Sequence, residues 1–260
     1  MDLTGKTALV TGSNRGIGRA ISEELARRRL DLVLCGMRDP DKFEPLDPGP
    51  GGAKEIRPVA LDLSSKEAIA EGAAEVPAVD LLVNNAGLLT GGLLEEQEVD
   101  DIYAMFQVNL VAVVHLTRLV LPGMIKRGRG KIVNNASISG YAWFPAASTY
   151  AAGKTGVVAF SESLRRELKG TGVDVLHLVT PGIKMDMLDA TKKAYGGHMD
   201  TTGWTEQEPE EWARKVVEAI ENDDHVLGPG GTLALAKLAS RGPGILLDVL
   251  SGRIFSRDPR

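Results

Sequence analysis

One tyrosine and one lysine near the middle of the chain have the spacing of an acid–base pair. Tyr150 and Lys154 are four residues apart, so in a helix they would lie one turn apart on the same face. An ammonium group beside a phenol favours the phenolate and should lower a phenol pKa that is ordinarily about 10. A tyrosine tuned in this way can exchange a proton with a carbonyl or alcohol oxygen near neutral pH. Ser137, which follows a β-branched segment, can donate a hydrogen bond to the same oxygen.

A glycine-rich turn near the N-terminus predicts a phosphate-binding site. Residues 7–10 are apolar and indicate a buried strand, and residues 19–29 have the apolar spacing of a helix. The sequence between them, TGSNRGIG at 11–18, lets backbone N–H groups approach a phosphate at the helix N-terminus. Its spacing differs from the G-x-G-x-x-G of the usual dinucleotide fingerprint, so a plain strand-to-helix corner is the alternative.

The residues after the second predicted strand, 31–35, bear on the choice of nucleotide. An NAD site usually places an acidic residue about 20 residues after the glycines, where it holds the ribose 2′-hydroxyl. Here no acid precedes Asp39, whereas Arg15 and Arg38 provide two guanidinium groups that can share a 2′-phosphate. We therefore predict NADP(H) in preference to NAD(H). The alternative is that both arginines are solvated surface charges and that Asp39 contacts the ribose.

The rest of the chain alternates predicted strands and helices. Further strands are predicted over 56–61, 79–83, 131–137 and 173–179, and helices over 66–75, 95–126 and 150–169. The helical segment 95–126 should break near Asn109, whose amide in an apolar stretch either kinks the helix or holds a water. Six such strands predict one α/β domain over 1–260, a Rossmann-like, doubly wound parallel sheet with helices on both faces. Ligands of these sheets bind at the carboxyl ends of the strands, where all the motifs above fall.

Composition limits the classes of function. A chain of 260 residues with 43% hydrophobic content can bury one large core. A net charge of −5 argues against non-specific binding of nucleic acid. The lone Cys35 excludes an internal disulfide, and nothing near His115 supplies a metal-ligand set. No run reaches the roughly 18 apolar residues of a membrane span, and the first residues are too polar for a signal peptide, so a cytoplasmic protein is expected.

In combination, these motifs resemble those of the short-chain dehydrogenase/reductase family over residues 6–183. Residues 11–18 are similar to the family's T-G-x-x-x-G-I-G cofactor loop, and residues 84–87 to its N-N-A-G element. The resemblance implies an NADP-dependent oxidoreductase that interconverts a ketone or aldehyde and an alcohol by hydride transfer. The alternatives are an NAD-linked alcohol dehydrogenase of the same family and a non-catalytic member that binds a nucleotide.

The resemblance also implies a role for each site residue. By it, Tyr150 is the general acid/base, Lys154 lowers its pKa and holds the nicotinamide ribose, Ser137 orients the substrate oxygen, and Asn109 keeps a water in the proton relay. Asp62 falls where the family contacts adenine, although helix capping is a rival role for that neighbourhood, which Ser64 or Ser65 fits better. The implied cofactor contacts are Gly12, Ser13, Asn14, Arg15, Gly16, Ile17, Gly18, Arg38, Asp62, Leu63, Asn85, Ala86, Gly87, Tyr150, Lys154, Pro181, Gly182 and Ile183.

Four regions depart from the family pattern or lie beyond it. Asp186 stands where a threonine often contacts the nicotinamide end of the cofactor, and residues 225–231 replace the usual end of a seventh strand. Residues 191–211 are expected to form a substrate lid, with a plain surface loop as the alternative. The apolar helical tail 232–260 could cap the pocket, form a dimer face or make weak peripheral contact with a membrane. A homodimer or homotetramer acting on a small-molecule substrate is expected.

Overall fold

A seven-stranded, fully parallel sheet forms the centre of the computed structural model, which describes residues 1–184, 193–195, 197–200, 206–230 and 255–256. Its strands are β1 Thr7–Thr11, β2 Leu32–Met37, β3 Glu55–Ala60, β4 Leu81–Asn84, β5 Gly130–Asn135, β6 Val173–Leu178 and β9 Val226–Leu227, in the spatial order β3-β2-β1-β4-β5-β6-β9. Two further strands, β7 Gly182–Ile183 and β8 Glu206–Gln207, pair with each other. Residues 225–231 depart in sequence from the usual end of a seventh strand, yet Val226 and Leu227 pair with the end of β6 and supply the seventh strand of this sheet.

Helices cover both faces of the sheet. They are α1 Gly16–Ala26, α2 Lys66–Ala74, α3 Val99–Phe106, α4 Ala112–Arg127, α5 Ser148–Glu167 and α6 Pro209–Glu221. Alternate strand residues point to opposite faces, so Val10 packs in the core with Ile21 and Val216, while Leu9 packs in a second core with Leu116 and Leu164. The strands are therefore apolar on both sides, as parallel strands buried between helices require.

The strand order reverses between β1 and β4. From β1 the chain winds outward to β2 and β3, then returns to place β4 on the other side of β1. The loops that follow β1 and β4 therefore diverge and leave a crevice at the carboxyl ends of the strands. Both the glycine-rich loop and residues 85–87 border this crevice.

The predicted break near Asn109 is a single π-helical turn, Gln107–Val111, that joins α3 to α4. Such turns insert an extra residue into an α-helix and redirect the side chains on either side of it. Among the described residues, the combined helical stretch Val99–Arg127 is long and apolar enough to cross a membrane by length and composition, with a third of its most apolar window buried (33%). Core helices of soluble proteins meet the same criterion, so for one helix it is a weak indicator.

Parts of the two predicted substrate-side regions fall outside the described residues. Most of the tail 232–260 and several residues of the predicted lid 191–211 are not described, and Asp186, which precedes the lid, also lies outside the described residues. Within these two regions the structure describes residues 193–195, 197–200, 206–211 and 255–256, which include β8 and the start of α6. Met199 and Phe255 form an antiparallel bridge, which brings the tail against the lid region.

Candidate active site

A cavity of about 1060 Å³ lies at the carboxyl ends of the strands. Its walls come from the glycine-rich loop, the ends of β2 to β5, the first turns of α5 and the residues after β6. Every residue predicted to belong to the site lines this cavity except Ser13 and Asn109. The predicted site residues that line it come from seven separate segments of the chain, and the structure shows that these segments meet at one cavity.

The glycine-rich loop packs so closely against the residues after β4 and itself that Gly18 has no room for a side chain. A Cβ on Gly18 would lie 2.1 Å from the carbonyl oxygen of Gly12 and 2.4 Å from Nδ2 of Asn85. Gly12 and Gly16 have φ values of +69° and +53°, which favour glycine. The loop therefore brings the N-terminus of α1 to the cavity wall, where unpaired N–H groups and the helix dipole favour an anion. This cradle fits the pyrophosphate of a dinucleotide.

Ser13, which is predicted to contact the cofactor, does not line the cavity, and its side chain bonds within the fold, so that contact stays a prediction. Its Oγ donates to the carbonyl oxygen of Val10 at 2.7 Å and accepts from the hydroxyl of Ser22 at 3.1 Å. Its backbone N–H donates to the carbonyl oxygen of Gly36 at 3.2 Å. A small buried hydroxyl at this position ties the loop to β1, β2 and α1, and its donors are used within the fold.

The predicted 2′-phosphate end of the cavity carries two arginines. Arg15 and Arg38 are both exposed and both line the cavity rim. Asp39, the rival contact for a ribose hydroxyl, forms an ion pair with Lys42 at 2.9 Å. The hydrogen bond from Lys42 holds the pKa of Asp39 below its ordinary value, so this carboxylate stays charged and engaged.

The predicted adenine contact and the helix cap are carried by separate residues. Asp62 lines the cavity beside Leu63, and its carboxylate accepts from the backbone N–H of Ser64 at 3.0 Å. Ser65 caps α2 by accepting from the backbone N–H of Ala68 at 3.1 Å. The side chain of Asp62 is therefore not the N-cap of α2.

Ser137, Tyr150 and Lys154 lie together on one wall of the cavity. The Nζ atom of Lys154 lies 5.8 Å from the centre of the Tyr150 ring and donates to the carbonyl oxygen of Asn135 at 2.8 Å. Ser137 ends the segment after β5 and caps the short turn Ile138–Gly140, accepting from the N–H of Ser139 at 3.2 Å. The helical spacing of the tyrosine and the lysine does place both groups on the face of α5 that borders the cavity.

The pKa of Tyr150 is raised rather than lowered, in contrast to the expectation from its spacing to Lys154. Burial raises it to about 12, and a hydrogen bond with Ser137 acts in the opposite direction. Burial also lowers the pKa of Lys154 to about 8. Loss of solvent therefore dominates both pKa values, and the effect that opposes it at Tyr150 is the hydrogen bond with Ser137 and not the charge of Lys154. At neutral pH the phenol is protonated, which is the form that donates a proton to a carbonyl oxygen, and the ammonium group is still largely charged.

Asn109 supports the site from behind the cavity wall. It is fully buried in the π-helical turn, and its side-chain amide bonds both backbone groups of one residue. Oδ1 accepts from the N–H of Leu88 at 2.7 Å, and Nδ2 donates to its carbonyl oxygen at 2.8 Å. The side chain thus fixes the loop after Gly87, and the expected contact between this amide and a relay water remains a prediction.

A ladder of polar side chains that the sequence analysis did not single out joins the ends of four strands. Thr11 Oγ1 accepts from the N–H groups of Asn85 and Ala86, both at 3.0 Å. Asn135 Nδ2 donates to Asn85 Oδ1 at 2.9 Å, and Thr180 donates to Asn135 Oδ1 at 2.5 Å. Because the backbone carbonyl oxygen of Asn135 also accepts from Lys154, this ladder positions the ammonium group of Lys154. Its signal in the sequence is a polar residue at the end of each otherwise apolar strand.

Besides Ser137, Tyr150 and Lys154, the cavity has a set of apolar lining residues, some of which pack together. These residues are Leu88, Leu89, Val108, Ile138, Phe144, Ala147, Tyr195 and Met199. Tyr195 and Met199 belong to the predicted lid region, so the structure places described residues of that region at the cavity. Within the described part of the chain, no group of three or more His, Cys, Asp or Glu side chains is arranged to hold a metal ion.

Comparison with known proteins identifies relatives of this chain. Residues 6–196 match the family model described as short chain dehydrogenase. The chain is 34% identical over 184 residues to the ketoacyl reductase HetN of Nostoc sp., covering 69% of this chain and 64% of that protein, which is less than two thirds of its length. It is 35% identical over 192 residues to the 3-oxoacyl-(acyl-carrier-protein) reductase FabG of Vibrio cholerae, covering 73% and 78%.

A solved structure with a similar fold contains a nucleotide. It is a metagenomic short-chain oxidoreductase in complex with NADP, with a TM-score of 0.70 and 29% sequence identity. The similarity covers 88% of this chain and 97% of that one. It therefore extends beyond the segment matched by the family model.

Proposed function

Because this chain belongs to the short-chain dehydrogenase/reductase family of oxidoreductases, we propose that it is an NADP-dependent enzyme that interconverts ketones or aldehydes and alcohols. The observation that carries the proposal is that Ser137, Tyr150 and Lys154 share a cavity with the glycine-rich loop. A nucleotide whose phosphates bind at that loop would extend along the cavity to the catalytic wall. The two named ketoacyl reductases among the relatives support reduction as the direction to test first.

The protein's own contribution to the reaction is to place and move one proton. A bound nicotinamide nucleotide supplies or accepts the hydride. In reduction, the neutral phenol of Tyr150 donates its proton to the carbonyl oxygen, and the hydroxyl of Ser137 donates a hydrogen bond to the same atom. The ammonium of Lys154 then stabilises the phenolate that remains, because opposite charges attract strongly in a site with little solvent. In oxidation, the same groups work in reverse.

The proposed preference for NADP rests on charge at the cavity rim. Arg15 and Arg38 line the rim, and Asp39, the acid that is the rival contact for the ribose, is paired with Lys42. A 2′-phosphate would meet two guanidinium groups there, whereas a 2′-hydroxyl would find the carboxylate already engaged. The NADP complex of the metagenomic relative supports the same choice. NAD-linked oxidation is the rival within the family.

Two measurements test the proposed function. The dissociation constants of NADPH and NADH are measured by quenching of tryptophan fluorescence, and turnover is followed at 340 nm with ketones and aldehydes. We expect tighter binding of NADPH and carbonyl-dependent loss of absorbance. Binding without turnover of any carbonyl, or of the corresponding alcohols with NADP, would favour the non-catalytic alternative. Equal or tighter binding of NADH would overturn the cofactor preference.

A cytoplasmic location and a homodimer or homotetramer remain parts of the proposal. The described surface of α3 and α4 exposes several apolar side chains, including Val99, Tyr103 and Val114. Burial of such residues between copies would support self-association. Sedimentation velocity measures the oligomeric state directly, and a monomer at micromolar concentration would contradict the expectation.

A further inference from the structure

Tyr195 forms part of the cavity wall, and the mechanism above gives it no role. Its side chain is 3% exposed, and it lines the same cavity as Tyr150. Burial raises the pKa of Tyr195 above its ordinary value, and the charge of Tyr150 acts in the same direction. The two phenols are therefore close enough to influence each other in the catalytic part of the cavity.

The ring of Tyr195 is backed by a glycine that leaves no spare room. A Cβ on Gly91 would lie 2.4 Å from Cε1 and 2.7 Å from Cδ1 of this ring. Gly91 has no positive φ, so the requirement at this position is for space and not for an unusual backbone conformation. Gly91 does not line the cavity, whereas Tyr195 does. An atom added at Gly91 would overlap the ring and displace it, and the open space that the ring borders is the cavity.

The loop that carries Gly91 is fixed to the first turn of α5. Gly92 donates its N–H to the carbonyl oxygen of Ala146 at 2.9 Å and accepts from Nε2 of Gln97 at the same distance. Thr149 donates to Oε1 of Gln97 at 2.7 Å, next to the catalytic tyrosine in sequence. These hydrogen bonds fix the position of the Gly91 loop relative to the segment that carries Tyr150. Gly91 therefore blocks movement of the Tyr195 ring away from the cavity.

The surroundings of the ring are apolar. Tyr195 packs with Ala146, Ala147 and Met199, and Phe144 lies against the same cluster. A group bound here exchanges water for apolar contacts, which favours hydrocarbon over charged or strongly polar substituents. The ring of Tyr195 thus forms an aromatic boundary of the same cavity that Tyr150 lines.

We propose that Tyr195, backed by Gly91, determines substrate specificity by limiting the length of an apolar substituent on the carbonyl carbon. The proposal rests on the proposed function, since it assigns the ketone class that the same site accepts. Short alkyl ketones fit in front of the ring, and longer ones collide with it. Tyr195 is a specificity-determining residue in this account and takes no part in proton transfer.

Two substitutions on opposite sides of the ring should act in opposite directions. Tyr195→Ala opens space, so the ratio of kcat/KM for 2-octanone to that for 2-butanone should rise by about tenfold, the usual effect of one or two methylenes in an apolar pocket. Gly91→Ala pushes the ring inward, so the same ratio should fall by about tenfold. In the Tyr195→Ala background, Gly91→Ala should leave the ratio unchanged, because the aromatic ring that the new methyl group would displace is absent.

Matched controls separate this effect from general damage. Tyr103→Ala removes a tyrosine that is 74% exposed, and Gly123→Ala adds a methyl group whose closest contact is the flexible side chain of Arg127. Both should leave the ratio unchanged. Tyr195→Leu serves as a milder variant if Tyr195→Ala does not fold. A ratio that is unchanged in Tyr195→Ala or Tyr195→Leu, or a Gly91→Ala effect that persists without the tyrosine ring, would overturn the proposal.

The failure of this inference is distinguishable from failure of the proposed function. If the wild-type protein binds NADPH and reduces polar carbonyl compounds but neither alkyl ketone, the apolar substrate class is wrong and the oxidoreductase stands. If it binds neither NADPH nor NADH, both proposals are refuted. Reduction of 2-butanone with the predicted shifts in the two variants supports both.

Discussion

Replacing Lys154 with methionine should reduce activity without destabilising the fold. Methionine has nearly the length of lysine but no charge. The pKa of the buried Lys154 falls from 10.5 to about 8, and at about 1.4 kcal/mol per unit this corresponds to about 3 kcal/mol of unfavourable burial at neutral pH. Methionine removes that penalty but leaves the carbonyl oxygen of Asn135 without its donor, at a cost of about 1–3 kcal/mol. We expect the free energy of unfolding to stay the same or to increase by up to about 2 kcal/mol.

Urea denaturation of the cofactor-free protein, followed by circular dichroism, measures this effect, and turnover at 340 nm should fall by at least about 100-fold. Lys131→Met is the matched control, because Lys131 is equally buried but donates to Asp223 at 2.8 Å. Its loss should destabilise the protein by about 1–3 kcal/mol. If Lys154→Met is destabilised as much as Lys131→Met, the ammonium of Lys154 stabilises the fold and the reasoning fails.

The same pKa gives the pH dependence of this difference. Between the folded pKa of about 8 and the ordinary value of 10.5, the unfolded chain binds more protons at Lys154 than the folded chain. The contribution of Lys154 to stability therefore becomes less unfavourable as pH rises through this range. Any stability advantage of Lys154→Met should shrink between pH 8 and pH 10. An advantage that grows over this interval would contradict the burial argument.

Two further predictions address the cofactor end and the support of the site. Arg38→Ala should weaken NADPH binding by about tenfold and leave NADH binding unchanged, since a charged hydrogen bond at an exposed rim contributes about 1.5 kcal/mol. Fluorescence titration measures both dissociation constants, and Arg57→Ala, at an exposed arginine on β3, is the control. Equal losses for both cofactors would show that Arg38 does not bind the 2′-phosphate. Asn109→Ala should destabilise the protein by about 1–3 kcal/mol, because the fully buried amide and two partly buried backbone groups of Leu88 lose their hydrogen bonds. Urea denaturation measures this effect. A loss below about 1 kcal/mol would show that water or another group replaces the amide.

Most of the architecture could be predicted from sequence because it depends on local pattern. Short apolar runs that alternate along the chain with helical segments located the first six strands. The four-residue spacing of Tyr150 and Lys154 placed both residues on one face of α5. The break near Asn109 was also predicted, since a buried amide in an apolar helix needs a partner. The two-residue strand β9 was missed, because such a short strand is defined by its pairing with β6 and not by its own pattern.

The electrostatics of the site could not be predicted in the same way. Spacing shows that an ammonium lies near a phenol, but the extent of desolvation depends on the packing of segments distant in sequence. That desolvation reversed the expected direction of the Tyr150 shift. Ser13 shows a related limit, since its motif position indicates the loop but not the side of the loop that its hydroxyl faces. The close packing of the Tyr195 ring against Gly91 is visible only once the fold brings the two segments together.

The proton donor is the centre of this account, and Tyr150→Phe tests it most directly. Phenylalanine keeps the ring and removes only the hydroxyl, so the dissociation constant of NADPH should change by less than about threefold. Single-turnover reduction of a ketone, followed at 340 nm, should slow by at least about 1000-fold, because the carbonyl oxygen loses its acid. Tyr103→Phe, on an exposed tyrosine, should leave the rate unchanged. A Tyr150→Phe protein that retains more than about a tenth of the wild-type rate would contradict the assignment of Tyr150 as the acid.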